Sequence, residues 1–233
     1  MGLMDLFRSG RVETTRAALE EARDPGTASG AVDRLVTTLL DIGIDGKGPF
    51  KSAATVARRA RSRSGSSEAA IDRVARKHVA GGALGGFATG FGGFFTMVVA
   101  LPLNVLEFYL QATRMVAATA ELRGYDLNRP EVRSATLLTL AGEDAGAVLA
   151  KAGLGTVTGG TVTGLLRQVL PKSGLMLLNK AVGFRLLKTA GGQLLTRLGR
   201  AVPVVGGFLG AALDAYLMHR IGQAAKREFP KVD

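Results

Sequence analysis

The sequence predicts an all-α fold, a multi-helix bundle in which glycine-faced apolar helices pack closely against one another. Apolar residues recur at helical spacing in several segments, and glycines lie four residues apart within three apolar stretches. The chain of 233 residues is long enough to bury a substantial core, and it contains no cysteine. Disulfide frameworks, thiol nucleophiles and cysteine-ligated metals are therefore excluded.

The chain is strongly basic although its composition is apolar. Apolar residues make up 47% of the sequence, and the formal net charge is +11. The ratio of Lys and Arg to Asp and Glu is 14 to 10 in residues 1–78, 4 to 6 in 79–150 and 12 to 3 in 151–233, so the excess lies in the C-terminal part. Such chains usually bind phosphate groups, which belong to lipid or to nucleic acid.

Residues 1–67 are predicted to form a helical extension and linker, and residues 68–233 the main helical domain. Helices are expected over 12–23, from residue 29 or 30 to 40, and over 51–63, with a loop at 45–49. The third helix contains Arg58 and Arg59. The Ser- and Gly-rich stretch that follows it is typical of a linker.

The main domain begins with a cationic helix start and continues with 28 residues, 79–106, that have no formal charge. This length is sufficient to cross a bilayer core, but the glycines and the interruption at Pro102 favour peripheral attachment. Two shorter stretches, 152–166 and 201–213, repeat the glycine spacing, which lets helix backbones approach closely. The candidate helix-packing residues are Gly82, Gly86, Gly90, Gly155, Gly159, Gly206 and Gly210.

The segment after Pro102 changes character, because residues 105–119 place apolar side chains on one helical face. Glu107, Gln111 and Arg114 share the opposite face. If that face is buried, an ionisable pair there is a candidate functional site. The alternative, which we favour, is a polar network that fixes the helix register.

Local signals place the remaining helices. Gly124 is expected to end the amphipathic helix, and Asn128 to cap the next one, with Pro130 in its first turn. Further helices are expected over 175–190 and 206–229. The candidate lipid- and anion-binding residues are Arg58, Arg59, Lys180, Arg185, Lys188, Arg197 and Arg200.

Several motifs, in this order, resemble the EcsC family. They are His78-Val79-Ala80 before the glycine-rich run, Leu101-Pro102, Arg123-Gly124-Tyr125-Asp126-Leu127, Pro130-Glu131-Val132-Arg133, Val202-Pro203-Val204-Val205-Gly206-Gly207 and Arg227-Glu228-Phe229. The similarity covers roughly residues 70–230. The family is named after a protein encoded beside an ABC transporter, and its biochemical role is unsettled. The resemblance implies a helical bacterial domain near a membrane and transfers no catalytic residue. Family members often have an acid just after Leu-Pro, where this chain has Asn104.

The sequence predicts no enzyme, metal site or cofactor. His78 and His219, the only histidines, are far apart in sequence, and we expect His78 to end a cationic helix face. The adjacent Glu143 and Asp144 are expected to form a solvated turn or cap, because neighbours on a helix diverge by about 100°. The glycine-rich run lacks the Gly-Lys-Ser/Thr of a phosphate loop, and no aromatic residue alternates with the arginines, so nucleotide and nucleic-acid binding are not expected.

The expected function is that of a non-enzymatic, membrane-associated protein at the inner face of the cell membrane, in the cytoplasm. Basic helices and glycine-rich apolar segments would dock on anionic lipids, as an accessory to a transport or envelope process. Self-association or binding to a membrane protein fits the same surfaces. Two alternatives stay open at this point: a soluble helical bundle that binds an apolar ligand or protein partner, and an effector that permeabilises membranes.

Overall fold

The computed structural model describes residues 28–48, 50–91, 93–141, 173–183, 185–186 and 203–232, and every regular element in them is helical. The all-α prediction is therefore confirmed for this part of the chain. Helical backbone also occurs over 173–183 and 185–186. The remaining elements, in chain order, are α1 (Ala28–Thr38), a π-helix (Leu39–Asp45), α2 (Ala53–Arg61), α3 (Ser67–Phe91), α4 (Gly93–Leu122), α5 (Pro130–Leu140) and α6 (Pro203–Glu228).

Helix α4 is the centre of the described bundle and contacts the π-helix, α2, α3, α5 and α6. Every residue from Ala112 to Ala120 is buried. The buried Thr113 and Thr119 hydroxyls donate to the carbonyl oxygens of Tyr109 and Met115 at 2.7 and 2.9 Å. Because each hydroxyl bonds within its own helix, these polar side chains enter the core without an unsatisfied donor.

Helices α3, α4 and α6 form a three-helix unit in which α3 runs antiparallel to the other two. The register of α3 and α6 follows from their contacts. Asp72 pairs with Lys226 near the start of α3, and Gly82 lies against Met218 ten residues further along. A Cβ at Gly82 would lie 3.6 Å from the Met218 Cε atom, so the two helices approach closely at this glycine.

The N-terminal elements pack on the same core as the rest of the described chain. The core includes Val32 of α1, Leu39 of the π-helix, and a face of small residues in α2 at Ala53, Ala57 and Ala60. Ser52 caps α2, since its hydroxyl accepts from the backbone N of Thr55 at 3.2 Å. The domain boundary at residue 67 stays a prediction, but the described residues before it are joined to α4 by a continuous apolar core.

Three local predictions differ from the structure. The helix expected to reach Leu40 ends at Thr38, where the π-helix begins. The residue that caps α5 is Arg129, whose backbone is extended, and not Asn128. Pro102, which was expected to interrupt the uncharged run, lies inside α4, and the change from one helix to the next comes earlier, between Phe91 and Gly93. The predictions for Gly124 and for the last helix are confirmed: α4 ends at Leu122 before Gly124 at φ 95°, and α6 ends at Glu228 just before Pro230.

The tightest glycine contacts lie outside the predicted glycine set. A Cβ at Gly43 would lie 2.8 Å from the Thr113 Cγ2 atom, and one at Gly183 would lie 2.7 Å from the Val32 Cγ1 atom. Gly82 is buried, but its contact distance also admits a methyl group, so its role as a required packing glycine stays a prediction. Gly86, Gly90, Gly206 and Gly210 lie on described helices, and their packing roles stay predictions. Gly155 and Gly159 lie outside the described residues, as do residues 12–23 and Glu143 and Asp144.

Among the described residues, no helix combines the length and the apolar character that crossing a bilayer requires.

Candidate functional site

The exposed positive charge of the described chain is concentrated in one helical hairpin, which we call the basic hairpin. It consists of α2, the turn at residues 62–66 and the first half of α3. Arg73 fixes the turn, because its guanidinium donates to the carbonyl oxygen of Arg63 at 2.9 Å and to the Ser64 hydroxyl at 3.2 Å. The exposed cations of the hairpin are Arg58, Arg59, Arg61, Arg63, Arg73, Arg76 and Lys77.

The two acids of the basic hairpin are paired with cations from other helices. Glu68 forms a salt bridge of 2.9 Å with Arg123 at the end of α4, and Asp72 pairs with Lys226 of α6. The Lys226 ammonium holds the pKa of Asp72 below its usual value of 3.8. Within the described residues, none of the seven exposed cations forms a salt bridge, so their charge faces solvent.

The second feature is an end of the three-helix unit that contains no charged residue. Because α3 and α6 are antiparallel and Gly82 meets Met218, the residues that follow Gly82 in α3 lie at the same end as those that precede Asp214 in α6. Helix α4 also begins there, since it directly follows α3. We call residues 82–91, 93–106 and 203–213 the charge-free end, as none of them is Asp, Glu, Lys, Arg or His.

Exposed aromatic side chains on α6 extend from the charge-free end. Phe208 is 65% exposed and Tyr216, two turns further along, is 56% exposed. The Arg220 guanidinium lies 5.9 Å from the centroid of the Tyr216 ring. An exposed aromatic residue beside a cation is typical of surfaces that meet a headgroup layer or a protein partner.

The structure places the predicted anion-binding residues in different environments. Arg58 and Arg59 are exposed in the basic hairpin, whereas Lys180 and Arg185 are half-buried in the helical segment that packs on α1. Lys188, Arg197 and Arg200 lie outside the described residues. The sequence analysis did not group Arg73, Arg76 and Lys77 with Arg58 and Arg59. The signal available for this grouping was the short turn at residues 62–66, which brings α2 and the start of α3 together.

The three residues of the predicted polar network occupy two places. The Gln111 Nε2 atom donates to the Glu107 Oε1 atom at 3.1 Å, and the Gln111 side chain lies against Gly81 of α3. Arg114 is 9% exposed, donates to the Ile42 carbonyl oxygen at 3.2 Å and lies 5.3 Å from the centroid of the Phe50 ring. Burial lowers its pKa. Arg114 therefore connects α4 to the π-helix, which fits a structural role.

The prediction that His78 ends a cationic helix face is wrong, because its side chain faces the core. The side chain is 7% exposed, and its Nδ1 atom lies 2.8 Å from the Val74 carbonyl oxygen. Burial, with smaller contributions from the charges of Arg114 and Lys77, lowers its pKa to about 4. His78 is therefore neutral near pH 7. Ile71 and Val74 are buried on the same face of α3, and this spacing was a signal that His78 faces the core.

A groove of about 440 Å³ beside the π-helix is partly lined by acids, and two of them, Asp45 and Asp126, are used in local structure. Asp45 forms a bidentate pair with Arg133, with both distances 2.8 Å. The Asp126 carboxylate accepts from the backbone N and the side-chain amide of Asn128, both at 2.9 Å. Within the described ranges, no group of three or more His, Asp or Glu side chains is placed to hold a metal ion.

No family model, no curated protein and no solved structure matches this chain. The functional argument therefore depends on the residues themselves.

Proposed function

We propose that this chain is a non-enzymatic, membrane-associated protein that binds anionic bilayers through exposed cations and uncharged helix ends. One observation supports the proposal most strongly. A single three-helix unit joins an end without charged residues to a basic hairpin whose exposed cations form no salt bridge in the described residues. Apolar surface and unpaired positive charge together are what binding to an anionic lipid surface requires.

The energetic reasoning favours lipid over nucleic acid as the anionic partner. Each cation near an anionic bilayer surface contributes about 1 kcal/mol of binding free energy. Nucleic acid offers the same phosphate charge, but a protein that holds single strands also needs aromatic side chains on which bases stack. No aromatic residue occurs between Lys51 and His78, so the basic hairpin has no such platform.

We further propose that the chain acts at the inner face of a bacterial membrane, as the resemblance to the EcsC family suggests. Its motifs at Leu101-Pro102 and Pro203-Val204-Val205 fall on α4 and α6, two helices that contribute to the charge-free end. A membrane protein of a transport or envelope process, or a second copy of the chain, would be a partner on that surface. The proposal assigns no catalytic step to the chain.

Vesicle binding tests this function. Sedimentation with vesicles of increasing phosphatidylglycerol content, at several salt concentrations, should show affinity that rises with the anionic fraction and falls with salt. Vesicles of phosphatidylcholine are the neutral control. Affinity that is independent of both lipid charge and salt would contradict the proposal. Dye release measured in the same samples distinguishes docking, in which the vesicles stay sealed, from a permeabilising effector.

A further inference from the structure

The structure separates the exposed cations by their distance from the charge-free end. Arg76 and Lys77 precede Gly82 by six and five residues on α3, which is about 8–9 Å along a helix that rises 1.5 Å per residue. Arg220 follows Leu213 by seven residues on α6, or about 10 Å. Tyr216 precedes Arg220 by four residues and therefore lies about 6 Å nearer the charge-free end. We call Arg76, Lys77, Tyr216 and Arg220 the interfacial belt.

The arginines of the turn lie much further away. Ser67, the first residue of α3, precedes Gly82 by fifteen residues, or about 22 Å along the helix axis. Arg63 lies in the turn before Ser67, and Arg59 lies one turn back along α2, which packs beside α3. Arg59 and Arg63 are therefore about 20 Å from the boundary of the charge-free end. This is about twice the distance over which 0.1 M salt screens a charge.

The length of the charge-free end matches one lipid leaflet. Residues 82–91 of α3 extend about 14 Å beyond Gly82, and residues 203–213 of α6 cover about 16 Å. The hydrocarbon core of a bilayer is about 30 Å thick, so one leaflet contributes about 15 Å. Helix ends of this length can enter the near leaflet but cannot reach the far headgroups.

We propose that the charge-free end enters one leaflet of an anionic bilayer end-on, and that the interfacial belt binds the headgroups. Membrane-binding proteins commonly place Tyr at the boundary between hydrocarbon and headgroups. They also place Arg and Lys there, with side chains that extend toward the phosphates. The arginines of the turn then remain outside the headgroup layer. The inference depends on the proposed function, because it specifies how that membrane binding occurs.

A protein partner or a second copy would also cover an uncharged surface, but neither explains the belt. On α3 and α6 the belt places positive charge and an exposed phenol next to the uncharged residues, and both complement the phosphate and carbonyl groups of an anionic headgroup layer. On α4 the uncharged residues are followed by the exposed Glu107. The three cations of the belt lie at similar heights on two helices, and Tyr216 lies about 6 Å nearer the charge-free end. The charge complementarity therefore favours lipid.

A matched pair of double variants tests the orientation. Arg76→Gln with Lys77→Gln, and Arg59→Gln with Arg63→Gln, each remove two exposed positive charges that form no salt bridge in the described structure. With phosphatidylglycerol vesicles in 0.1 M salt, the first variant should bind about 30-fold more weakly than the unmodified chain. The second should lose about twofold or less, because its cations are screened from the headgroups. Equal losses, or a larger loss in the second variant, would overturn the end-on orientation.

Depth measurement provides an independent test, since the chain contains no tryptophan. Phe94→Trp places one fluorophore in the charge-free end, and Gly65→Trp places one in the exposed turn, where a side chain meets open space. With lipids brominated on the acyl chains, the Phe94→Trp emission should shift to the blue and lose most of its intensity, while the Gly65→Trp emission should not change. Quenching at Gly65→Trp, or none at Phe94→Trp in bound protein, would refute the insertion.

Failure of the inference can be distinguished from failure of the proposed function. If neither tryptophan variant nor the unmodified chain binds any vesicle, the membrane function itself is refuted. If the chain binds but the charge-free end stays unquenched, only the insertion is refuted. Blue-shifted Phe94→Trp emission before lipid is added would show that the end is covered within the protein or by a second copy, and this also overturns the inference.

Discussion

Acidification should destabilise this protein through His78, and the structure gives the size of the effect. The imidazole is 7% exposed, and burial lowers its pKa to about 4, whereas a histidine in the unfolded chain titrates near 6.5. The unfolded state therefore binds more protons between these two values, so stability is complete above pH 6.5 and falls as the pH decreases toward 4. Each unit of pKa difference corresponds to about 1.4 kcal/mol, so the loss between pH 7.5 and pH 4.5 should be about 2–3 kcal/mol.

Urea unfolding at the two pH values, followed by circular dichroism at 222 nm, measures this loss. Arg133 and Lys226 hold the pKa values of the Asp45 and Asp72 carboxyls below 3.8. The contribution of these two ion pairs to the stability of the fold is therefore lost only as the pH falls below 3.8. In His78→Gln the difference in unfolding free energy between pH 7.5 and 4.5 should shrink by about the same 2–3 kcal/mol.

His219→Gln is the matched control, because this second histidine is exposed on α6. It should leave the pH dependence as in the unmodified chain. Equal unfolding free energies at the two pH values, or an undiminished loss in His78→Gln, would refute the assignment of a buried neutral histidine.

Three further predictions concern stability and can be measured by urea unfolding at pH 7.5. Gly183→Ala should lower the unfolding free energy by about 1–2 kcal/mol, because its Cβ would lie 2.7 Å from a Val32 methyl, and an unchanged midpoint would show that α1 can move aside. Gly222→Ala should raise the unfolding free energy by up to about 1 kcal/mol, because the added Cβ would lie 3.6 Å from its nearest neighbour, Met115, and alanine favours the helix. A lower unfolding free energy in this variant would contradict the packing seen at Gly222. Arg133→Met should cost about 1 kcal/mol at most, since Asp45 of the bidentate pair is half-exposed, and a loss of several kcal/mol would contradict the expected solvent screening.

The sequence was sufficient to predict those parts of the fold that depend on local signals. A helix begins at Pro130 as expected, and Gly124 follows the helix that it was expected to end. Each of these signals acts over one or two helical turns. The all-α class follows for the same reason, because helix periodicity and helix termini are local properties of the chain.

Contacts between distant segments were not predictable in this way. Gly43 and Gly183 have neighbours closer than 3 Å but do not belong to a regular glycine spacing, and their need for a small side chain comes from Thr113 and Val32. The pairing of Asp72 with Lys226 joins residues that are 154 positions apart. Such contacts depend on which helices pack together, and one sequence does not specify that.

The candidate surfaces were predicted in composition but not in arrangement. The uncharged run 79–106 and the uncharged stretch 201–213 were both visible in the sequence, as was the arginine cluster of α2. Their placement depends on the antiparallel register of α3 and α6, which is set where Gly82 meets Met218. That register joins the two uncharged stretches at one end and leaves the arginines of the turn at the other.

Flotation of the unmodified chain through a density gradient tests the membrane function most directly. In 0.1 M salt the chain should rise with phosphatidylglycerol vesicles and remain at the bottom with phosphatidylcholine vesicles or without lipid. A chain that remains at the bottom with every lipid composition would contradict the proposed function.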